Sequence, residues 1–69
     1  MDMAGAASSD ITGIELRILR TKYRLTVSAT AKAGGWSRQR VSAIEATDRP
    51  SRGAVDRYLA AIRAAIAAR

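Results

Sequence analysis

The sequence predicts an all-α domain of four or five helices, the last of them long. Three observations predict it. Apolar residues recur at spacings of three and four in successive segments, the pattern of a helix that buries one stripe. A serine or threonine stands before each segment, at Thr12, Thr26, Ser37 and Ser51, and such side chains accept the free N–H groups of a first helical turn. Gly34-Gly35 and Pro50 fall between segments, where a chain leaves one helix and enters the next.

The first helix starts at Thr12, because Thr12 and Glu15 form the T-x-x-E pattern of a capping box, with Asp10 as the competing cap. Ile14, Leu16, Leu19 and Tyr23 give it an imperfect three-four spacing that runs to about Lys22, and Leu16 and Leu19 are its core candidates. Thr26 caps a second helix, from Val27 to about Ala33, whose small residues let it sit close to its neighbours. Gly34-Gly35 ends it, one of the two glycines taking a left-handed conformation. Ser37 caps the third helix, in which Val41 and Ile44 face inward and Arg38, Gln39, Ser42 and Ala43 face out. Residues 46–50 form a loop closed by Pro50-Ser51. The last helix runs over about 52–68, with an apolar stripe of Val55, Leu59, Ile62 and Ile66 among helix-favouring alanines. Trp36 reads as core or turn packing, and Tyr23 and Tyr58 as half-buried packing residues.

Sixty-nine residues make one domain with a thin core, since a chain of this size buries only about 60% of its unfolded surface. Cysteine and histidine are both absent, which removes the disulfide staple and argues against a structural zinc site. Helix packing and a second copy of the chain are expected to supply the missing stability. Residues 1–9, MDMAGAASS, have neither a basic stretch nor an apolar one, and read as a disordered arm ahead of a domain at 10–69. No apolar run approaches the roughly 18 residues of a membrane span, so a soluble protein of the cytoplasm is expected, with no membrane partner.

Twelve Lys and Arg stand against six Asp and Glu, for a net charge of +6 and a pI near 11.2. Such a field favours polyanions, nucleic acid first among them; a solvated basic surface is the alternative. Catalysis finds little support. Neither Glu15 nor Glu45 has a second carboxylate at useful helical spacing, and Gly34-Gly35 lacks the Gly-Lys-Ser/Thr of a phosphate loop. A non-enzyme is expected, with no cofactor, metal or small-molecule ligand.

The stretch from Leu25 to Glu45 is the most informative for function. It is a short helix, a glycine turn, and a second helix that opens with Ser37, Arg38, Gln39 and Arg40. A helix-turn-helix pushes such a second helix into the DNA major groove. There arginine reads guanine and glutamine reads adenine, each through two hydrogen bonds.

Gly13, Leu16, Arg17, Leu19, Arg20, Leu25 and Thr26 make a G-x-x-L-R-x-L-R pattern leading to L-T. Ala31, Gly35 and Ser37 follow the Thr at five, nine and eleven residues. Ser37, Arg38, Val41, Ser42, Ile44 and Glu45 then make S-R-x-x-I-S-x-I-E with valine in the first isoleucine place, and Pro50-Ser51 opens the next helix. In these linked spacings, over about residues 13–62, the chain resembles the Cro/CI-like (XRE) helix-turn-helix family of phage and bacterial repressors.

The resemblance implies a lambda-repressor-like fold, with the helix-turn-helix at about 26–46 and the C-terminal helix at about 52–68. It implies double-stranded DNA as the partner, with base contacts from Arg38, Gln39, Ser42 and Ala43 and phosphate contacts from Thr26, Ser37, Arg40, Arg49 and Arg52. It also implies a structural ion pair between Arg20 and Glu45. Family members carry a further helix after the fourth, which makes Ile62, Ala65 and Ile66 the expected surface of a homodimer. A homodimeric repressor on an inverted repeat is the function implied, as in phage Cro-like proteins or anti-CRISPR-associated autorepressors. An antitoxin or adaptor that docks its C-terminal helix on a protein, and a non-specific architectural DNA binder, are the alternatives.

Five positions depart from the family pattern. Val27 stands where a DNA-backbone-contacting glutamine is usual, Ala29-Thr30 replace Glu-Leu, and Trp36 replaces a small apolar residue. Thr30 removes core volume that Trp36 can return from the other side of the turn. Arg24 replaces the glycine that ends the first helix, at about 1 kcal/mol if the position is left-handed.

Overall fold

The computed structural model describes residues 10–69, and the arm expected at 1–9 lies outside them. The described residues form four helices: α1 (Gly13–Lys22), α2 (Val27–Gly34), α3 (Arg38–Ala46) and the long α4 (Arg52–Ala67). Each begins at the hydroxyl residue expected to cap it. Thr12 accepts from the Glu15 N–H at 3.1 Å while the Glu15 carboxylate accepts from the Thr12 N–H at 2.8 Å. That reciprocal box decides for Thr12 over Asp10. Thr26, Ser37 and Ser51 accept from the N–H groups of Ala29, Arg40 and Ala54.

The first two helices end in the same way. After α1, the N–H of Leu25 bonds to the Arg20 carbonyl and that of Arg24 to the Thr21 carbonyl. After α2, Trp36 bonds to Ala31 and Gly35 to Lys32. Both are Schellman turns, and each needs a left-handed residue. Gly35 meets the need with φ of 70°, and Arg24 meets it with φ of 58°. An L-residue with a Cβ is strained there by about 1–2 kcal/mol. Arg24→Gly is therefore expected to stabilise the domain by about 0.5–1 kcal/mol, part of the relief being offset by the freer unfolded chain. A thermal midpoint raised by about 4 °C is the readout; an unchanged midpoint would show that the Arg24 side chain makes up the difference.

Leu16, Leu25, Ala31, Val41, Ile44, Val55, Tyr58, Ile62 and Ala65 form the core, with Trp36, Leu59 and Ile66 packed against it. Gly34 explains how α2 reaches α4: a Cβ there would stand 2.8 Å from the Cβ of Ala61. Thr30 is fully buried, and its hydroxyl donates to the Thr26 carbonyl at 3.0 Å. Trp36 packs against the core and lies against Tyr58, their ring centroids 6.5 Å apart.

Three expectations are corrected. Tyr58, read as half-buried, is fully buried because its hydroxyl finds internal partners. Ile62 and Ala65, assigned to a dimer surface for want of partners in one chain, are 3% and 7% exposed within a single copy. The close approach of α2 gives them those partners, and Ile66 is itself half-buried against the core. Leu19 is half-buried where a core position was expected; Ile14 and Ile18 lie on the outer side of α1, 67% and 59% exposed.

Candidate nucleic-acid interface

The base of α3 is tied to two other helices by one hydrogen-bonded cluster. The Arg20 Nε donates to Glu45 Oε2 at 2.7 Å and its Nη2 to Oε1 at 3.1 Å, a bidentate pair joining α1 to α3. The Arg20 Nη1 donates to the Leu25 carbonyl at 2.8 Å, so all three guanidinium nitrogens are engaged. Tyr58, from α4, donates its hydroxyl hydrogen bond to the same Glu45 carboxylate and also lies 3.3 Å from the Leu16 carbonyl oxygen. No buried side-chain polar atom among the described residues is left without a partner.

Burial pushes the Glu45 carboxyl up, but the hydrogen bonds from Arg20 and Tyr58 outweigh it and hold the group below its ordinary value. The Glu45 hydrogen bond raises the Arg20 guanidinium. Burial, and then the Glu45 hydrogen bond, drive the Tyr58 phenol well above its usual range. The carboxylate therefore stabilises the fold above about pH 4.5, and that contribution is lost as pH falls through its depressed folded value.

Sequence reasoning placed Arg20 and Glu45 but not Tyr58 in this cluster. A signal was present: Val55, Tyr58 and Ile62 follow spacings of three and four, which puts Tyr58 on the buried stripe. A phenol that deep needs a polar partner. Nothing local says that the partner is Glu45.

Held by this cluster, α3 turns Arg38, Gln39, Ser42 and Ala43 to solvent. Their spacing of one and four residues puts them on one face. Two clefts flank that face. One, of about 340 Å³, lies between α1, the start of α2 and α3, and is lined by Arg17, Val27, Ser42 and Ala46. The other, of about 250 Å³, brings Arg40, Ala43 and Thr47 of the α3 side to Pro50, Ser51 and Ala54 at the start of α4. Arg49 and Arg52 are exposed next to Pro50-Ser51. Thr26 and Ser37 are exposed at the starts of α2 and α3, where unpaired N–H groups and the helix dipole favour an anion.

Two helices joined by a left-handed glycine, the second presenting arginine and glutamine from its first turn, make a helix-turn-helix. A family model of a helix-turn-helix domain matches residues 12–69. The chain belongs to this family. No curated protein and no solved structure matches it. Helix-turn-helix domains are as a class DNA-binding modules that enter the major groove with the second helix of the motif, the place that α3 occupies in this chain. Among the described residues of this domain no group of three His, Cys, Asp or Glu side chains is placed to hold a metal ion. Among the described residues no helix is long and apolar enough to cross a membrane.

Proposed function

We propose that this helix-turn-helix domain is a sequence-specific, double-stranded-DNA-binding transcriptional regulator of the Cro/CI-like type, acting in the bacterial cytoplasm as a homodimeric repressor. The observation that carries the reading is the exposed face of α3, which sets Arg38, Gln39, Ser42 and Ala43 on one side of a helix anchored at its far end by Glu45. Arg38 and Gln39 read base edges, Ser42 adds a hydroxyl one turn on, and Ala43 offers only a methyl to thymine. Phosphate contacts come from Thr26, Ser37, Arg40, Arg49 and Arg52. The net charge of +6 supports these contacts.

One recognition helix reads only a few base pairs. Two copies on an inverted repeat, their recognition helices about 34 Å apart in successive major grooves, give the site useful length. Repression follows from occupying a promoter. Substitution separates reading from gripping. Arg38→Ala is expected to cost about 1–3 kcal/mol on the operator and to relax the preference at one base pair. Arg40→Ala is expected to weaken binding equally on all sequences and to lower the salt slope by about one. Fluorescence anisotropy on operator and single-base variants measures both. Equal weakening on every duplex by Arg38→Ala would make Arg38 a phosphate contact and remove the main support for specific readout.

A further inference from the structure

Arg17 and Arg20 stand one turn apart on α1 and line the same cleft, with Val27 of α2 and Ser42 and Ala46 of α3. Their situations differ. Arg20 is buried, and all three of its guanidinium nitrogens are engaged by Glu45 and the Leu25 carbonyl. Arg17 is exposed, and among the described residues its guanidinium has no hydrogen-bond or ion-pair partner. The only carboxylate among the lining residues, Glu45, is already neutralised by Arg20. Burial acts on that carboxyl most strongly, then the hydrogen bonds from Arg20 and Tyr58, and the charge of Arg17 adds a lesser pull downward. That pull engages none of the Arg17 donors. Val27 and Ala46 offer no side-chain donor and Ser42 only a neutral hydroxyl, so the net charge of the cleft is that of Arg17.

The helical period of α3 says where this cleft lies. At about 100° per residue, Ser42, Glu45 and Ala46 fall on one flank of α3. Arg40, Ala43 and Thr47, which line the second cleft, fall on nearly the opposite flank. The exposed face of Arg38, Gln39, Ser42 and Ala43 lies between the two. A helix about 10–12 Å across fills a major groove about 12 Å wide, so one phosphate backbone runs along each flank.

We infer that Arg17 grips a backbone phosphate of the DNA strand on its own flank of α3, opposite the strand gripped by Arg40. The inference rests on the DNA reading proposed above and deepens it. A cation on each side holds α3 between the two strands and fixes its orientation in the groove, which is the task of phosphate contacts. The planar guanidinium suits this task, because it can offer two parallel donors to one phosphate.

Salt-dependent fluorescence anisotropy of the full chain tests the contact, on an operator selected from a random DNA pool and on a mixed-sequence duplex. Arg17→Gln is expected to weaken binding to both by the same factor and to lower the salt slope by about 0.9 per bound copy. Arg17→Lys is expected to keep the slope, since it keeps the charge. The strand is read from operators in which one phosphate at a time is replaced by an uncharged methylphosphonate. The parent chain should lose affinity at particular positions on both strands of a half-site. Arg17→Gln should become indifferent to a position on one strand, and Arg40→Gln to a position on the other. Both arginines are exposed, and cooperative thermal unfolding identifies variants that keep the fold. A role confined to steadying Glu45 would lower thermal stability and leave the methylphosphonate pattern as in the parent. That unchanged pattern, or an unaltered salt slope, overturns the inference while the DNA reading stands. Indifference of both variants on the same strand also overturns it. A parent chain that binds no duplex overturns the DNA reading and the inference with it.

Discussion

Glu45→Ala is expected to leave most of the protein unfolded at 25 °C. The substitution removes the one carboxylate that pairs with Arg20 and accepts from Tyr58. The Arg20 side chain is only 10% exposed and Tyr58 is fully buried, so neither can turn to water for a replacement. Breaking a buried pair from one side costs about 3–5 kcal/mol, because the abandoned charge stays in place. A core of this size supplies about the same amount. Tyr58→Phe removes one hydrogen bond and leaves the ion pair intact, so a smaller loss of about 1.5–2 kcal/mol is expected. Combined with Glu45→Ala it should add little further, since both changes act on one network. Far-UV circular dichroism against temperature and urea measures all three. A Glu45→Ala protein with a midpoint within a few degrees of the parent would show that the cluster is not what holds α3. Acid titration gives an independent check: stability should fall as pH drops below about 4.5, where Glu45 protonates first in the unfolded chain, and the Glu45→Gln protein should lose that dependence.

Gly13→Ala is expected to cost about 2–3 kcal/mol, the effect of overpacking against atoms that cannot move aside. A Cβ at Gly13 would collide with the carbonyl oxygens of Ile44, Glu45 and Thr47, all backbone at the end of α3. The Gly13 N–H donates to the Thr47 carbonyl at 3.0 Å, which draws the start of α1 and the end of α3 together. Relief requires α1 to lift from α3, stretching that bond and the Arg20–Glu45 pair at once. A loss of about 10–20 °C in thermal midpoint follows for a domain of this length. On an otherwise exposed helix the same change would stabilise, because alanine is the better helix former. A raised midpoint would therefore mean that α1 and α3 are less close than described.

What could be read in the sequence was local, apart from the Arg20–Glu45 pair, 25 residues apart, which the family resemblance implied. The four caps at Thr12, Thr26, Ser37 and Ser51 act on N–H groups three residues away, and the strained turn at Arg24 follows from a missing glycine. The outward face of α3 follows from helical period alone, once Val41 and Ile44 are taken as buried. What could not be read depends on pairs distant in sequence. Tyr58 meets a carboxylate 13 residues away and the Leu16 carbonyl 42 residues away. Ile62 and Ala65 are covered because Gly34 lets α2 approach Ala61, and no stripe on α4 reveals how near its neighbour will come. The DNA-contact assignments go further than the fold does: the structure leaves Arg38, Gln39 and Ser42 exposed, and their partner has to be supplied by experiment.

The most direct test of sequence-specific binding is selection of bound duplexes from a random DNA pool by the full chain at about 150 mM salt, where contacts to phosphate alone are weakened. The expected result is enrichment of an inverted repeat whose half-sites are centred one helical turn apart, and loss of preference at one base pair per half-site when Arg38→Ala repeats the selection. A folded protein that enriches no sequence would contradict it.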